Sequence, residues 1–280
     1  MALPTFLVIG AMKAGTTSLH ELLGRHPDVF MSNRKELHYF SVAENYERGR
    51  GWYESYFADG AEMPARGEAS PSYSQADIFP GVPERISELL PDVRLVYVVR
   101  EPIERLRSMY LHQLANGRET RPLAEAVLEE PYFVNSSRYS WQLDHHLEYV
   151  PAGRIHVLTI DQLLDDPADA LSRLHDFLGV TPIADSRADV HRGRTEDKRV
   201  ATPLRSAASS VPGYRQIVAA LPDSVRRFGR RATTRPVDRS MAEVPDGLRE
   251  ELIERLRPDL VGLRRFLGDD FDGWGHLAVD

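Results

Sequence analysis

At 280 residues and a formal net charge of −7, the chain has room for one large α/β domain or two small ones, and its acidic balance argues against a protein that coats nucleic acid. It contains no cysteine, which excludes disulfides, thiolate metal sites and cysteine nucleophiles and is compatible with a reducing cytosol. All but three of the 35 basic residues are arginine, so lysine, a compact point charge rather than a planar fork, is reserved for positions 13, 35 and 198.

The first residues lack a charged leader and an apolar core of signal length. No later apolar stretch approaches the roughly 20 residues that a membrane span needs, so a cytoplasmic protein without a membrane span is expected. Phe6 to Ile9 reads as a buried strand. Gly10 and Gly15 let the backbone turn and approach a ligand, and Thr16, Thr17 and Ser18 open a helix whose free N–H groups attract an anion. The segment Gly10-Ala-Met-Lys-Ala-Gly-Thr-Thr17 is thus a P-loop-like phosphate cradle with an unusual lysine. The nucleoside-triphosphatase loop places its lysine after the second glycine, followed by a magnesium-holding hydroxyl. Here Thr16 stands in that place and the lysine has moved to Lys13, where it suits a bridging oxygen on which negative charge grows as a terminal group leaves.

Residues 32–83 are rich in aromatics, Gly and Pro, with weak periodicity, and read as active-site wall. Within them, Asn33-Arg-Lys-Glu-Leu-His-Tyr-Phe40 brings Glu36 and His38 close enough for either to act as a base on an acceptor hydroxyl, beside Lys35. If that piece is extended, alternation puts Glu36 and His38 on one face. Tyr39, Phe40, Trp52, Tyr53, Tyr56 and Tyr73 suit stacking on a sugar or an apolar molecule, or else plain core. A short strand is expected at 66–69.

Leu95 to Val99 reads as a second central strand. It ends in Arg100, and Ser108 lies about two helical turns on, so a guanidinium fork and a hydroxyl are offered to a second anionic group. The plainer alternative pairs Arg100 with Glu101 or Glu104. A triphosphatase would more often end this strand in a magnesium-binding aspartate. Helices are expected at 102–117 and 135–149. Asp144, His145 and His146 do not suggest a metal, because adjacent histidines on a helix diverge and no matching ligand set appears.

A third strand at 155–160 leads into an amphipathic helix at 161–179 ended by Gly179. From 185 to 239 the pattern loosens into an irregular basic segment, whose Arg226, Arg227, Arg230 and Arg231 read first as a solvated helix face. Leucines at 248, 252, 256, 260, 263 and 267 mark a last helix over 245–267. Strands alternating with helices imply a single α/β domain over 1–280, its central sheet mainly parallel and flanked by helices, with a helical C-terminal region.

The chain resembles the sulfotransferases that use 3′-phosphoadenosine-5′-phosphosulfate (PAPS), in particular the glycan (heparan sulfate) branch and its bacterial relatives. The likeness is carried by Phe6 to Leu22, Lys35-Glu-Leu-His-Tyr-Phe40, Gly67-Glu-Ala-Ser-Pro-Ser-Tyr73 and Val98 to Tyr110. It is supported by Tyr139 with Gln142 and Leu143, by the strand leading to Asp161, and by Phe266-Leu-Gly-Asp-Asp-Phe-Asp-Gly-Trp274. The resemblance implies that Lys13, Ala14, Gly15, Thr16, Thr17 and Ser18 hold the 5′-phosphosulfate, with Lys13 at the bridging oxygen. It likewise implies that Arg100 and Ser108 hold the 3′-phosphate, that Tyr139 belongs to the donor site, and that Glu36 is the general base, with His38 as runner-up. The late basic loop of the family is matched only loosely by 191–199, where Arg192, Gly193, Lys198 and Arg199 are candidates. Several glycan members carry a lysine where this chain has Ala69, which weakens the case for a heavily anionic polysaccharide and favours a small-molecule, glycolipid or less charged glycan acceptor. Adenosine 3′,5′-bisphosphate would be the released product, and no metal is expected. The alternatives are a P-loop kinase or nucleotide hydrolase, and a catalytically silent nucleotide-binding protein.

Overall fold

The computed structural model describes residues 2–183, 199–201, 234–236 and 239–277. Its first half runs β1 (Phe6–Gly10), α1 (Thr16–Leu23), β2 (Val29–Met31), α2 (Ala43–Tyr46), α3 (Gly49–Glu54), β3 (Ala65–Ala69), α4 (Val82–Leu89) and β4 (Arg94–Val99). There follow α5 (Pro102–Ala115), α6 (Leu123–Glu129), α7 (Pro131–Asn135), α8 (Tyr139–Leu147), β5 (Ile155–Thr159), α9 (Ile160–Asp165) and α10 (Pro167–Leu178). β6 (Arg199–Ala201) and β7 (Thr234–Pro236) pair antiparallel as a separate ribbon, and α11 (Asp246–Leu267) is the last helix.

The main sheet has the order β2-β3-β1-β4-β5, and every pairing in it is parallel. Its centre is β1, all five residues of which are buried, as a strand covered on both faces requires. The α/β class expected from the sequence is the one found. Of the three strands expected as central, β1 and β4 lie inside the sheet but β5 is its edge, paired with β4 alone; its apolar run reflects cover from α9, α10 and α11 rather than a central place, and the short strand is β3. β2 was not anticipated, because three residues at a sheet edge give too little pattern to read.

Two expected helices are each divided. Pro167 ends α9, since a residue before proline is driven out of the helical region. The carboxylate of Asp166 then caps α10 by accepting the Asp169 N–H at 3.1 Å. The helix expected over 135–149 is likewise two pieces, α7 and α8. Between them the Ser137 hydroxyl donates to the Pro102 carbonyl (3.1 Å) and accepts from Arg105 Nε (2.7 Å), diverting the chain. α11 follows the leucine pattern, with Leu252, Leu256, Leu260 and Leu263 all fully buried. It also carries buried Asp259, whose carboxylate accepts from the Trp141 N–H (2.9 Å) in the first turn of α8 and from Arg138 Nε (3.2 Å). That carboxylate satisfies one of the amides a helix start leaves without a partner.

Among the described residues no helix is long and apolar enough to cross a membrane. The expected irregular segment 185–239, with its arginines at 226–231, lies outside the described residues except for β6, β7 and Arg239.

β1 and β3 pack closely because Gly67 has no side chain. A Cβ there would run into the fully buried Phe6 ring. Gly67→Ala is therefore expected to destabilise the fold by about 1–3 kcal/mol. Gly51→Ala, in α3 with open space around it, should be neutral or gain up to about 1 kcal/mol. Denaturant midpoints of the two variants against the parent check this.

Candidate active site

In a parallel sheet all strands present their carboxyl ends at one edge, and the candidate residues gather there. The loop leaving β1 reaches α1 through Lys13 and Gly15, both left-handed at φ 73° and 102°. A Cβ on Gly15 would lie 2.5 Å from Ile160 Cδ1, so the loop packs closely against the start of α9, and its left-handed φ favours glycine there. No side chain caps α1, and its opening amides face the loop as helix geometry requires. Ala14 and Thr16 are buried, Lys13, Gly15 and Ser18 half-buried, and Thr17 exposed. Burial pulls the Lys13 ammonium below the usual lysine range. Glu36 opposes that effect, and Lys35 and Arg100 add to it. Lys13 forms no ion pair among the described residues, and Lys13, Lys35 and Arg100 outnumber the carboxylates of Glu36 and Glu104 beside them, which suits an anionic ligand.

Glu36 and His38 meet by a route other than the extended one expected. Both have left-handed backbone, φ 61° and 52°, so the Lys35–His38 piece turns away from extended geometry. Glu36 Oε1 accepts from Lys35 Nζ at 2.6 Å, and Oε2 lies 3.6 Å from His38 Nε2. The nearby imidazole, and then Lys35, hold the Glu36 carboxyl down at about 2 against the opposing pull of burial. His38 Nδ1 contacts Ser72 Oγ at 2.8 Å, and Ser72 contacts Ser41 Oγ at 2.8 Å.

Arg100 follows β4 directly. Its guanidinium is 29% exposed and lies 3.6 Å from Glu104, a loose form of the surface pairing considered above. Glu101 caps α5, its Oε2 accepting the Glu104 N–H at 2.6 Å and its Oε1 contacting His276 Nε2 at 3.0 Å. Ser108 is buried two turns into α5. Tyr139 is fully buried and donates its hydroxyl to the Arg100 carbonyl at 2.6 Å, so it braces the backbone under Arg100. The late motif residues also meet: Trp274 Nε1 donates to Asp161 Oδ2 at 2.7 Å. Arg192, Gly193 and Lys198 lie outside the described residues, and Arg199 opens β6.

The aromatic wall is mostly core. Tyr39, Phe40, Tyr53 and Tyr73 are buried, with Tyr39 and Tyr53 stacked at 4.3 Å; Trp52 and Tyr56 are partly buried. His146 is also core, its Nε2 on the Tyr73 carbonyl at 2.9 Å, and Asp144 pairs with Arg265. Single-residue reasoning missed Ser41, Ser70, Ser72 and His276. The first three surround His38, and only the Gly67–Tyr73 motif had signalled two of them.

The chain matches the family model described as "Sulfotransferase domain" over residues 3–202. It is 31% identical to heparan sulfate glucosamine 3-O-sulfotransferase 6 of Homo sapiens over 280 residues, covering 97% of this chain and 74% of that protein. It is also 31% identical to the bifunctional heparan sulfate N-deacetylase/N-sulfotransferase 2 of Homo sapiens, covering 64% of this chain but only 22% of that longer protein. Among solved structures, a sulfotransferase from Alicyclobacillus acidocaldarius superposes with a TM-score of 0.69 at 23% identity, covering 98% of this chain and all of that one. This last likeness bears on the fold alone.

Because the folded-state pKa of Glu36 is depressed, its contribution to stability is complete above the ordinary glutamate value of about 4.3. That contribution is lost as pH falls through about 2. A ¹³C carboxyl titration, assigned against Glu36→Gln, should show this group still ionised at pH 4. A midpoint in the ordinary glutamate range would contradict the geometry of the turn.

Proposed function

The chain belongs to the PAPS-dependent sulfotransferase family, and from that premise we propose that the edge formed by Lys13, Glu36 and Arg100 transfers a sulfuryl group from PAPS to a hydroxyl or amine of its acceptor. The observation that carries this reading is the pairing of opposites: a half-buried lysine on the phosphate loop feels the charge of a carboxylate on the facing turn. In-line transfer needs these two charges on opposite sides of the sulfur, one for the leaving oxygen and one for the incoming proton.

The phosphate loop from Lys13 to Ser18 holds the 5′-phosphosulfate, and Arg100 with Ser108 holds the 3′-phosphate. PAPS supplies an activated sulfuryl group whose bond to the 5′-phosphate breaks as the acceptor oxygen or nitrogen bonds to sulfur. The electron pair of the broken bond stays on the phosphate oxygen, where the Lys13 ammonium neutralises it. Glu36, ionised at neutral pH, takes the acceptor's proton. A carboxylate of such low basicity accepts it only as the new bond to sulfur makes that proton acidic. His38 is the second reading for the base. Glu36 is favoured because its side chain is 46% exposed, against 32% for His38, and because the two imidazole nitrogens already face Ser72 and Glu36.

The likeness to heparan sulfate enzymes supports a glycan-type acceptor. Ala69, fully buried at the end of β3, puts no charge into the site at the position where the family resemblance implies a lysine, and this favours a glycolipid, small molecule or weakly charged glycan. Arg192, Gly193, Lys198 and Arg199 are the candidates for the remaining part of the donor site, on the loose basic match over 191–199. The kinase alternative is disfavoured because Arg100 stands where a magnesium-binding acid would, and because Lys13 precedes the second glycine.

Calorimetric titration of chelator-treated protein should show adenosine 3′,5′-bisphosphate binding without metal and more tightly than magnesium-ATP. Lys13→Ala is expected to abolish transfer. Glu36→Gln should remove turnover yet leave bisphosphate affinity nearly intact. Retained transfer in both variants would sink the mechanism. With Glu36 as base, kcat/KM should show no acid limb at the ordinary imidazole pKa of about 6.5, and a limb there would hand the role to histidine.

A further inference from the structure

The turn that carries Glu36 and His38 is held in a conformation that L-residues avoid, and its support comes from one stretch of chain. The Glu36 N–H donates to the Ala69 carbonyl at 3.1 Å and the His38 N–H to Ser70 Oγ at 3.0 Å. Both left-handed residues are thus tied to consecutive positions at the end of β3. Ser70 has one proton to give, and it goes to Glu68 Oε2 at 2.6 Å, which leaves the serine lone pairs facing the His38 amide. Glu68 is completely buried and has no cationic partner among the described residues. Its other oxygen, Oε1, accepts from Tyr73 Oη at 2.6 Å and Tyr53 Oη at 3.0 Å. Ser72, two residues beyond Ser70, meets the imidazole of the same His38.

We propose that Glu68 is a positioning residue for the reaction: clamped by Tyr53 and Tyr73, it orients the Ser70 hydroxyl, and through it the left-handed turn that presents Glu36 and His38. A buried acid without a counter-ion is costly compared with an apolar side chain of the same volume. Burial raises its pKa while the hydroxyl donors of Ser70, Tyr73 and Tyr53 oppose that rise. Such a group in the layer behind a strained turn fits the pattern in which a rigid surround over-determines a functional conformation. The Gly67–Tyr73 motif then has a physical role: 68, 70 and 72 alternate along it, and the carboxylate and two hydroxyls form the backing of one turn. The effect on turnover rests on the reading of Glu36 as proton acceptor; the effect on the turn does not.

Glu68→Gln and the milder Ser70→Ala test this, with Ser70→Thr as the variant that keeps the hydroxyl. The decisive readout is the ¹³C titration of Glu36, which should rise by about one pH unit or more in the first two variants as the carboxylate leaves its Lys35 and His38 contacts. It should return with threonine, at unchanged calorimetric affinity for adenosine 3′,5′-bisphosphate. With a neutral p-nitrophenyl glycoside as acceptor probe, turnover of PAPS should fall roughly tenfold or more. A Glu36 titration that stays in place in folded variants overturns the proposal. So does a parallel loss of bisphosphate affinity, or a Ser70→Ala chain that does not fold, since each assigns the network to the scaffold at large. A titration that moves while turnover holds leaves the positioning role standing and removes Glu36 as the base.

Discussion

Parallel pairing of β3, β1 and β4 is the constraint from which the site follows. Three strands that all run the same way end at the same edge; β1 and β4 are each followed there by a charged residue, and the end of β3 supports a charged segment from elsewhere in the chain. β1 gives the loop with Lys13, β4 gives Arg100, and the residues just past β3 hold the turn of Lys35, Glu36 and His38. No antiparallel arrangement of the same strands would bring these segments together, because alternate ends would lie at the far side of the sheet.

Bringing like charges to one edge has an electrostatic cost, and the local structure is arranged around it. Lys13 is partly withdrawn from water and shares its surroundings with Lys35 and Arg100, so its charge is disfavoured unless an anion is near. Among the described residues, Glu36 is the acidic group that offsets this effect on Lys13. Arg100 is held at its backbone, by the Tyr139 hydroxyl, with its guanidinium only loosely engaged. Rigid main chain beneath a weakly paired cation is the arrangement expected of a group that must meet a ligand without first breaking a strong contact.

Four of the five sheet strands and the glycine-flanked loop after β1 were legible because their signals are local: a buried run such as Phe6 to Ile9, a glycine where the chain must turn, a lysine between two glycines. Arg100 and Ser108 were legible by their spacing along one strand and helix. The turn at Glu36 was only half legible. The two side chains do meet, but through left-handed backbone set by Ala69 and Ser70, some thirty residues away. Tyr39, Phe40, Tyr53 and Tyr73 could have lined a cleft or filled a core, and sequence leaves that choice open because both environments favour aromatic rings. The splits at Asp166 and Ser137 divide helices whose apolar spacing runs on, and spacing alone overlooks a proline or a single buried hydroxyl.

The contacts of Trp274 with Asp161 and of His276 with Glu101 join residues 113 and 175 positions apart in the chain. Both tie the segment after α11 to the residues that follow β5 and β4. The Arg100 side of the edge is therefore braced by some of the last described residues, while the loop of Lys13 lies among the first. A growing chain can pair its five strands before this brace exists, and closing such long loops is entropically unfavourable until the sheet has already brought the ends near. The sheet and the Tyr139 contact beneath Arg100 are both complete within residues that precede this brace, which adds a second, long-range tie to an edge already formed.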